Sequence, residues 1–295
     1  MYFLKTIWNF IKDSLGFINT YFKSIILLLI LFFIFIPSDD VQENRKPNLA
    51  KLYLNFPIYE SETFAQQIES IKKNKNIKGV LLIINSPGGG VGASIEIADM
   101  IQKLSQEMPV IAYVQSLMAS GSYYAGMYAN KIYANRGALI GSIGVIFSGL
   151  NLEEVMQKIG VKTQGATAGE YKEVGTMMRT WSMKEREFIE NLTNEQYIMF
   201  YTDVIKARAK QLKTKNPKDF AEGKVFSAKQ ALELGLIDEV GTMDNAINAL
   251  VTMSGVSEIV WLKKSKIDTY MDKVMNGAFN KIIMSSMPNM YAILR

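Results

Sequence analysis

The stretch Gly79 to Asn85 reads GVLLIIN, an unbroken apolar run that ends only at its last residue. A strand with one wet face alternates polar and apolar side chains, so a run of this kind belongs to a strand covered on both faces, as inside a parallel sheet. Parallel neighbours cannot be joined by a tight turn; they need a crossover, usually a helix. The surrounding sequence supplies the pieces. Lys51 to Pro57 is strand-like, and Ser61 to Lys73 carries Phe64, Ile68 and Ile71 at helical spacing. A helix is predicted from Ala93 to Glu107, a second buried strand from Pro109 to Val114, and a helix opening near Ser120. This βαβα order predicts an α/β fold with a largely parallel sheet and right-handed crossovers. Further on, the patterns predict short strands at Lys131 to Ala134 and Ile143 to Phe147, and a helix from Leu152 to Ile159. A glycine-punctuated extended segment follows from Val161 to Gly175, then helices over Met183 to Leu212 and Ser227 to Leu234. No internal repeat is present.

A second apolar run, IILLLILFFIFI from Ile25 to Ile36, has a different character. At about 1.5 Å per residue it covers only about 18 Å as a helix, short of a bilayer core of about 30 Å. Extension backward through Leu15, Phe17, Ile18, Tyr21 and Phe22 makes an adequate span, with Lys23 snorkelling toward the headgroups. Lys5, Lys12 and Lys23 precede or flank the run and Asp39, Asp40 and Glu43 follow it. That bias places the N-terminus in the cytoplasm and the bulk of the chain on the far side of the membrane. A cleaved signal peptide is the rival reading, but Ile36-Pro37-Ser38-Asp39 offers no small-x-small cleavage site. A buried core helix would want a polar face, and the run has none. The expected organisation is a short cytoplasmic N-terminus (1–14), a transmembrane anchor (15–37), a polar linker (38–50), a globular domain (51–262) and a C-terminal arm (263–295).

The chain has no histidine and no cysteine. A Ser-His-Asp triad, a cysteine nucleophile, a disulfide and a Cys/His zinc site are therefore all excluded, and no metal or cofactor is called for. Covalent catalysis has to rest on Ser, Thr, Lys or a carboxylate. The net charge of +5 comes from scattered basic residues rather than a basic face, so nucleic acid is not an expected partner.

Two segments carry chemistry. Asn85-Ser86-Pro87-Gly88-Gly89-Gly90 lies between a buried strand and a helix, where its backbone N–H groups can meet an anion. In a hydrolase that anion is the oxyanion of a tetrahedral intermediate. A dinucleotide loop is the competing reading, since Gly88 to Ala93 satisfies GxGxxA, but no carboxylate ends the next strand at Val114-Gln115-Ser116. No Walker-A motif occurs, and a purely structural turn remains open. The second segment, Met118-Ala119-Ser120-Gly121-Ser122-Tyr123-Tyr124, puts a serine where a helix begins. Ser120 there is either a nucleophile, with the Gly121 N–H as an oxyanion donor, or an ordinary helix cap. A nucleophilic Ser120 needs a lysine base, and such a lysine must lose roughly three units from its reference pKa of about 10.4 by desolvation. Lys172, in the small-residue loop Ala168 to Gly175, is one candidate among many lysines.

Together, NSPGGG, MASGSYYAG, NKIYAN, GSIGV, the GEYK loop and EGKVFSAKQALELGLIDEVG, in that order over about residues 50–250, resemble the family S49 serine proteases. The likeness is to their short single-domain signal peptide peptidase form. The resemblance implies a crotonase/Clp-protease-like fold, Ser120 as nucleophile, Lys172 as general base, Ser142 as the lysine's hydrogen-bond partner, and Gly89 with Gly121 as oxyanion donors. It also implies signal peptides or other apolar peptide segments as substrates, at the cytoplasmic membrane. A ring-shaped homo-oligomer, with serine and lysine drawn from neighbouring protomers, is part of the same implication. Two departures stand out: GEYK replaces the commoner glycine-alanine-histidine-lysine, and Ser122 stands where a glycine is usual. The alternatives are a SohB-like or stomatin-associated S49 protease with other substrates, a crotonase-type acyl-CoA enzyme using Glu96, and a membrane scaffold without turnover.

Overall fold

The computed structural model describes residues 46–55 and 57–263, and positions 8, 12–13, 16–17, 19–24 and 26–28 ahead of them. The chain divides into two units, Met1–Arg45 and Lys46–Arg295. In the first, the described residues are helical and exposed, and Phe17 and Tyr21 face each other one turn apart with ring centroids 4.8 Å away. No helix among the described residues is long and apolar enough to cross a membrane. Most of the run Ile25 to Ile36, on which the expected anchor depends, lies outside the described residues, as does the expected C-terminal arm beyond residue 263.

The second unit is built on a seven-stranded sheet. Strands β1 (Leu49–Asn55), β2 (Gly79–Ser86), β3 (Val110–Ala119), β4 (Lys131–Ala134) and β7 (Glu239–Val240) lie side by side in that order, all parallel. Strand β5 (Leu139–Gly141) joins β3 in parallel, and β6 (Val225–Ser227) runs antiparallel to β5. The crossovers are helices α1 (Glu62–Lys73), α2 (Val91–Glu107) and the short α3 (Gly121–Gly126). The α/β class and the largely parallel sheet agree with the pattern of the sequence.

The reason for the GVLLIIN run is visible in its two faces. Val80, Leu82 and Ile84 point into the larger core with Ile68, Ile97, Ile101 and Leu104 of α1 and α2. Leu81 and Ile83 point the other way, into a smaller core with Ile111, Tyr113, Ala246 and Leu250. The helix that closes this second face is α8 (Met243–Ser254), held at its start by a capping box between Thr242 and Asn245. It packs so closely that a Cβ on Gly79 would lie 2.8 Å from Leu250 Cδ1.

Two expectations need correction. There is no strand at Ile143 to Phe147; the strand is β5, and Gly141 and Ser142, with φ of 109° and 49°, turn the chain out of the sheet just before that segment. The second buried strand does not stop at Val114 either. β3 pairs with β4 through Val114, is exposed at Gln115 and Ser116, and then pairs with β5 from Leu117 to Ala119. That change of partner carries the strand on to Ser120. The remaining elements are α4 (Glu153–Ile159), the long α5 (Met183–Ala207), α6 (Pro217–Phe220) and α7 (Ala228–Leu234). α5 ends where the buried Arg208 turns to Asp238, its Nη1 donating to Oδ2 at 3.0 Å.

Candidate active site

The carboxyl ends of β2, β3 and β5 meet at one place, and the crevice outside the strand ends of a parallel sheet is where such folds bind ligands. Ser120 stands there with φ 53° and ψ −127°, a left-handed backbone that a non-glycine residue adopts only when its surroundings impose it. The surroundings are explicit. The Ser120 N–H donates to the Gly141 carbonyl at 2.8 Å. The fully buried Ser122 hydroxyl accepts the Ala119 N–H at 2.8 Å and donates to the Ser86 carbonyl at 2.6 Å, stitching the turn to the end of β2. Ser120 makes no side-chain capping bond to α3, so its hydroxyl is not spent as a helix cap.

The glycine loop lies against this turn. It is fixed on its outer side by Ile58, whose N–H donates to the Gly88 carbonyl and whose carbonyl accepts the Gly90 N–H, both at 2.8 Å. Gly88 has φ 93°, and a Cβ on it would lie 2.5 Å from the Gly121 nitrogen. A Cβ on Gly121 would in turn lie 3.1 Å from the Gly89 nitrogen and would overlap Ser94 Oγ. The Gly89 and Gly121 N–H groups are therefore close neighbours beside Ser120, and neither donates to a backbone acceptor among the described residues. Gly121 opens α3, where the first N–H groups have no partner inside a helix. Two such donors next to a hydroxyl can hold an oxygen that becomes negative.

Ser142 is one step beyond the Ala119–Gly141 pair of the β3–β5 ladder, so it is half-buried alongside Ser120, with its N–H on the Lys224 carbonyl at 2.6 Å. Lys172 is elsewhere: it is exposed, and it does not line the hollow at Ser120. Its loop is nonetheless held by the side chains on either side of Lys172. Glu170 pairs with Lys184 at 2.9 Å, and Tyr171 stacks on Phe188 with centroids 4.9 Å apart. Glu173 lies 3.5 Å from Arg179, which also makes a two-pronged pair with Glu185 at 2.7 and 2.8 Å. Glu185 caps α5 together with Ser182, and the Arg179 guanidinium with the Ser182 N–H holds its carboxyl down at about 2. The unusual Glu170 and Tyr171 of the GEYK loop are thus docking residues. Glu96, the carboxylate that an acyl-CoA reading would need, is exposed and hydrogen-bonded by the Ser61 hydroxyl.

Sequence reasoning missed the floor of the site. A small hollow beside Ser120 is lined by Val91, Ser94, Tyr124, Val145, Gln196 and Phe200 along with the glycines. Tyr124 and Phe200 pack with ring centroids 4.7 Å apart, and the Tyr124 hydroxyl donates to Asp203. Burial first, and then that carboxylate, push the Tyr124 phenol well above its ordinary value. Nothing local in the sequence connects Gln196 and Phe200, on α5, with residues on α3; only the fold does.

Residues 102–257 match peptidase family S49. A candidate protease of Methanocaldococcus jannaschii is 32% identical over 263 residues, 80% of this chain and 84% of its own length. A candidate signal peptide peptidase SppA of Enterococcus faecium is 34% identical over 193 residues, 65% of this chain and 56% of its own length. Among solved structures, a point mutant of ClpP1 from Listeria monocytogenes overlays with a TM-score of 0.46 and 16% identity, covering 66% of this chain and 94% of that one.

Proposed function

The chain belongs to peptidase family S49 and is SppA-like, and from that premise we propose that it is a membrane-anchored serine endopeptidase with a Ser120–Lys172 dyad. The observation that carries the reading is the turn at Ser120, locked at φ 53° with the Gly89 and Gly121 N–H groups beside it. In this mechanism neutral Lys172 takes the proton from Ser120 as Oγ attacks the peptide carbonyl carbon. The carbonyl oxygen becomes an oxyanion held by the Gly89 and Gly121 N–H groups. The lysine then gives its proton to the leaving amine, and water, deprotonated by the same lysine, releases the acyl group from Ser120. The Ser142 hydroxyl, at the end of the neighbouring strand, holds the amine in place.

Lys172 reaches Ser120 from a second copy of the chain in a ring-shaped homo-oligomer. Supporting this are its exposure, the docking of its loop against α5 through Glu170 and Tyr171, and the exposed Ile146, Phe147, Leu150 and Ile159 on the same stretch of chain, which a neighbouring copy would cover. Assembly also supplies the dry surroundings that a neutral lysine requires. The anchor at 15–37 places the catalytic domain on the extracytoplasmic face of the inner membrane, beside apolar substrates such as the signal peptides left after secretion.

The test uses the full chain in detergent, with cleavage of a synthetic signal peptide followed for wild type, Ser120→Ala and Lys172→Ala. Both variants are expected to be inactive alone and to recover part of the activity when co-assembled. Turnover equal to wild type in either variant would refute the dyad, and failure of the mixture to recover would refute its sharing between copies.

A further inference from the structure

The hollow beside Ser120 sets a limit on what can be cut. A peptide whose carbonyl carbon is under attack by Ser120, with its oxygen at Gly89 and Gly121, has the side chain of the residue just before the scissile bond starting two bonds from that carbon. The space lined by the same three residues is the hollow closed by Val91, Ser94, Tyr124, Val145 and Phe200, with Gln196 at its side. That hollow measures about 20 Å³. Roughly 10–15 Å³ is what one water needs, so it admits a methyl or hydroxymethyl group. It does not admit the branched side chain of leucine or a ring.

The walls are fixed. Phe200 is 4% exposed and Tyr124 5%, and each packs against the other. The Tyr124 hydroxyl is held by Asp203, which is itself paired with Lys206 at 3.1 Å, so the ring cannot swing aside without breaking that chain of contacts. On the opposite wall Ser94 is tied to the Gly90 carbonyl at 2.8 Å and fills the space next to Gly121. Interiors packed in this way resist the insertion of extra carbons.

Building on the protease reading, we infer that this chain cleaves after small residues, alanine or serine, and that Val145 and Phe200 are the residues that exclude larger ones. The test uses quenched-fluorescence peptides identical except at the residue before the scissile bond, which is Gly, Ala, Ser, Val, Leu or Phe, with the full chain in detergent. Wild-type kcat/KM for alanine is expected to exceed that for leucine by about tenfold or more, the scale on which an apolar pocket discriminates by size. Val145→Ala and the milder core change Phe200→Leu are each expected to raise the leucine-to-alanine ratio several-fold. Either one suffices if the other fails to fold.

A fluorophosphonate probe on Ser120 separates the two ideas. Wild type that labels with the probe but prefers leucine or phenylalanine, or leaves the alanine peptides uncut, overturns the size limit and leaves the serine chemistry standing. So do folded variants with the wild-type ranking. Absence of both labelling and cleavage removes the protease reading, and this inference with it.

Discussion

Replacing Ser122 by alanine isolates what holds the nucleophile turn. Its hydroxyl is completely buried and spans two backbone groups, accepting from Ala119 N–H and donating to Ser86 carbonyl. Alanine withdraws the acceptor of the buried Ala119 N–H, and a buried donor deprived of its hydrogen bond costs about 1–3 kcal/mol. For a unit of this size 1 kcal/mol corresponds to roughly 2–4 °C, so the thermal midpoint in detergent should fall by roughly 2–12 °C. Ser94, also buried, is the control. Its hydroxyl donates to the Gly90 carbonyl, which keeps the Ser94 N–H at 3.0 Å when the hydroxyl is removed. Ser94→Ala should therefore cost less than about 1 kcal/mol, because no backbone group is left without a partner. The assay is a thermal scan at fixed rate, paired with the rate of fluorophosphonate labelling at Ser120, which should fall in Ser122→Ala as the turn loosens. Equal midpoints for the two alanine variants, with unchanged labelling, would refute the claim that this hydroxyl holds the turn.

Other expectations follow from single features. Gly88→Ala forces a Cβ to 2.5 Å from the Gly121 nitrogen at φ 93°, and labelling of Ser120 should drop by about a hundredfold or more while circular dichroism stays native. Asp238→Ala leaves the buried Arg208 guanidinium without its carboxylate and should destabilise the unit by about 3–5 kcal/mol, read as a lowered thermal midpoint. Glu185, held at about 2 by Arg179, stabilises the native state fully above the unfolded value of about 4.3. That contribution is lost as pH falls through about 2, so the midpoint difference between wild type and Glu185→Gln should be constant above about pH 5 and shrink progressively below it. A difference that grows on acidification would contradict the sign.

The sheet was legible because its central strands are apolar on both sides, and a run as short as Gly79 to Asn85, with Leu81 next to Leu82 and Ile83 next to Ile84 and a glycine-rich loop after it, suits a doubly covered parallel strand. The glycine loop and Ser120 were legible for a related reason: each follows directly on such a strand, so position along the chain fixes position in space. The cover on the second face was not. Helix α8 has a sound apolar face, yet its Leu250 finds its partners at Leu49 and Leu81, far away in the chain, and periodicity carries no information about that. The expected strand at Ile143 does not form because the left-handed backbone of the preceding Gly141 and Ser142 ends the ladder, and apolar content alone does not reveal that. The role of Glu170 and Tyr171 was equally hidden, since it depends on Lys184 and Phe188 arriving from the following helix.

The outer edge of β1 is finished by the last described residues of the unit. Asn48 donates to the Val260 carbonyl at 2.8 Å, Leu262 donates to Leu49 at 2.7 Å, and Lys51 rests over the Trp261 ring. A nascent chain leaves the ribosome with its first strand in hand and waits more than two hundred residues for the piece that seals it. Throughout that interval the amides and carbonyls of Asn48 and Leu49, at the start of β1, have no neighbouring strand on that side. The start of the sheet's edge is therefore closed only once Leu262 has been made, and a chaperone that shields extended segments should matter most before then.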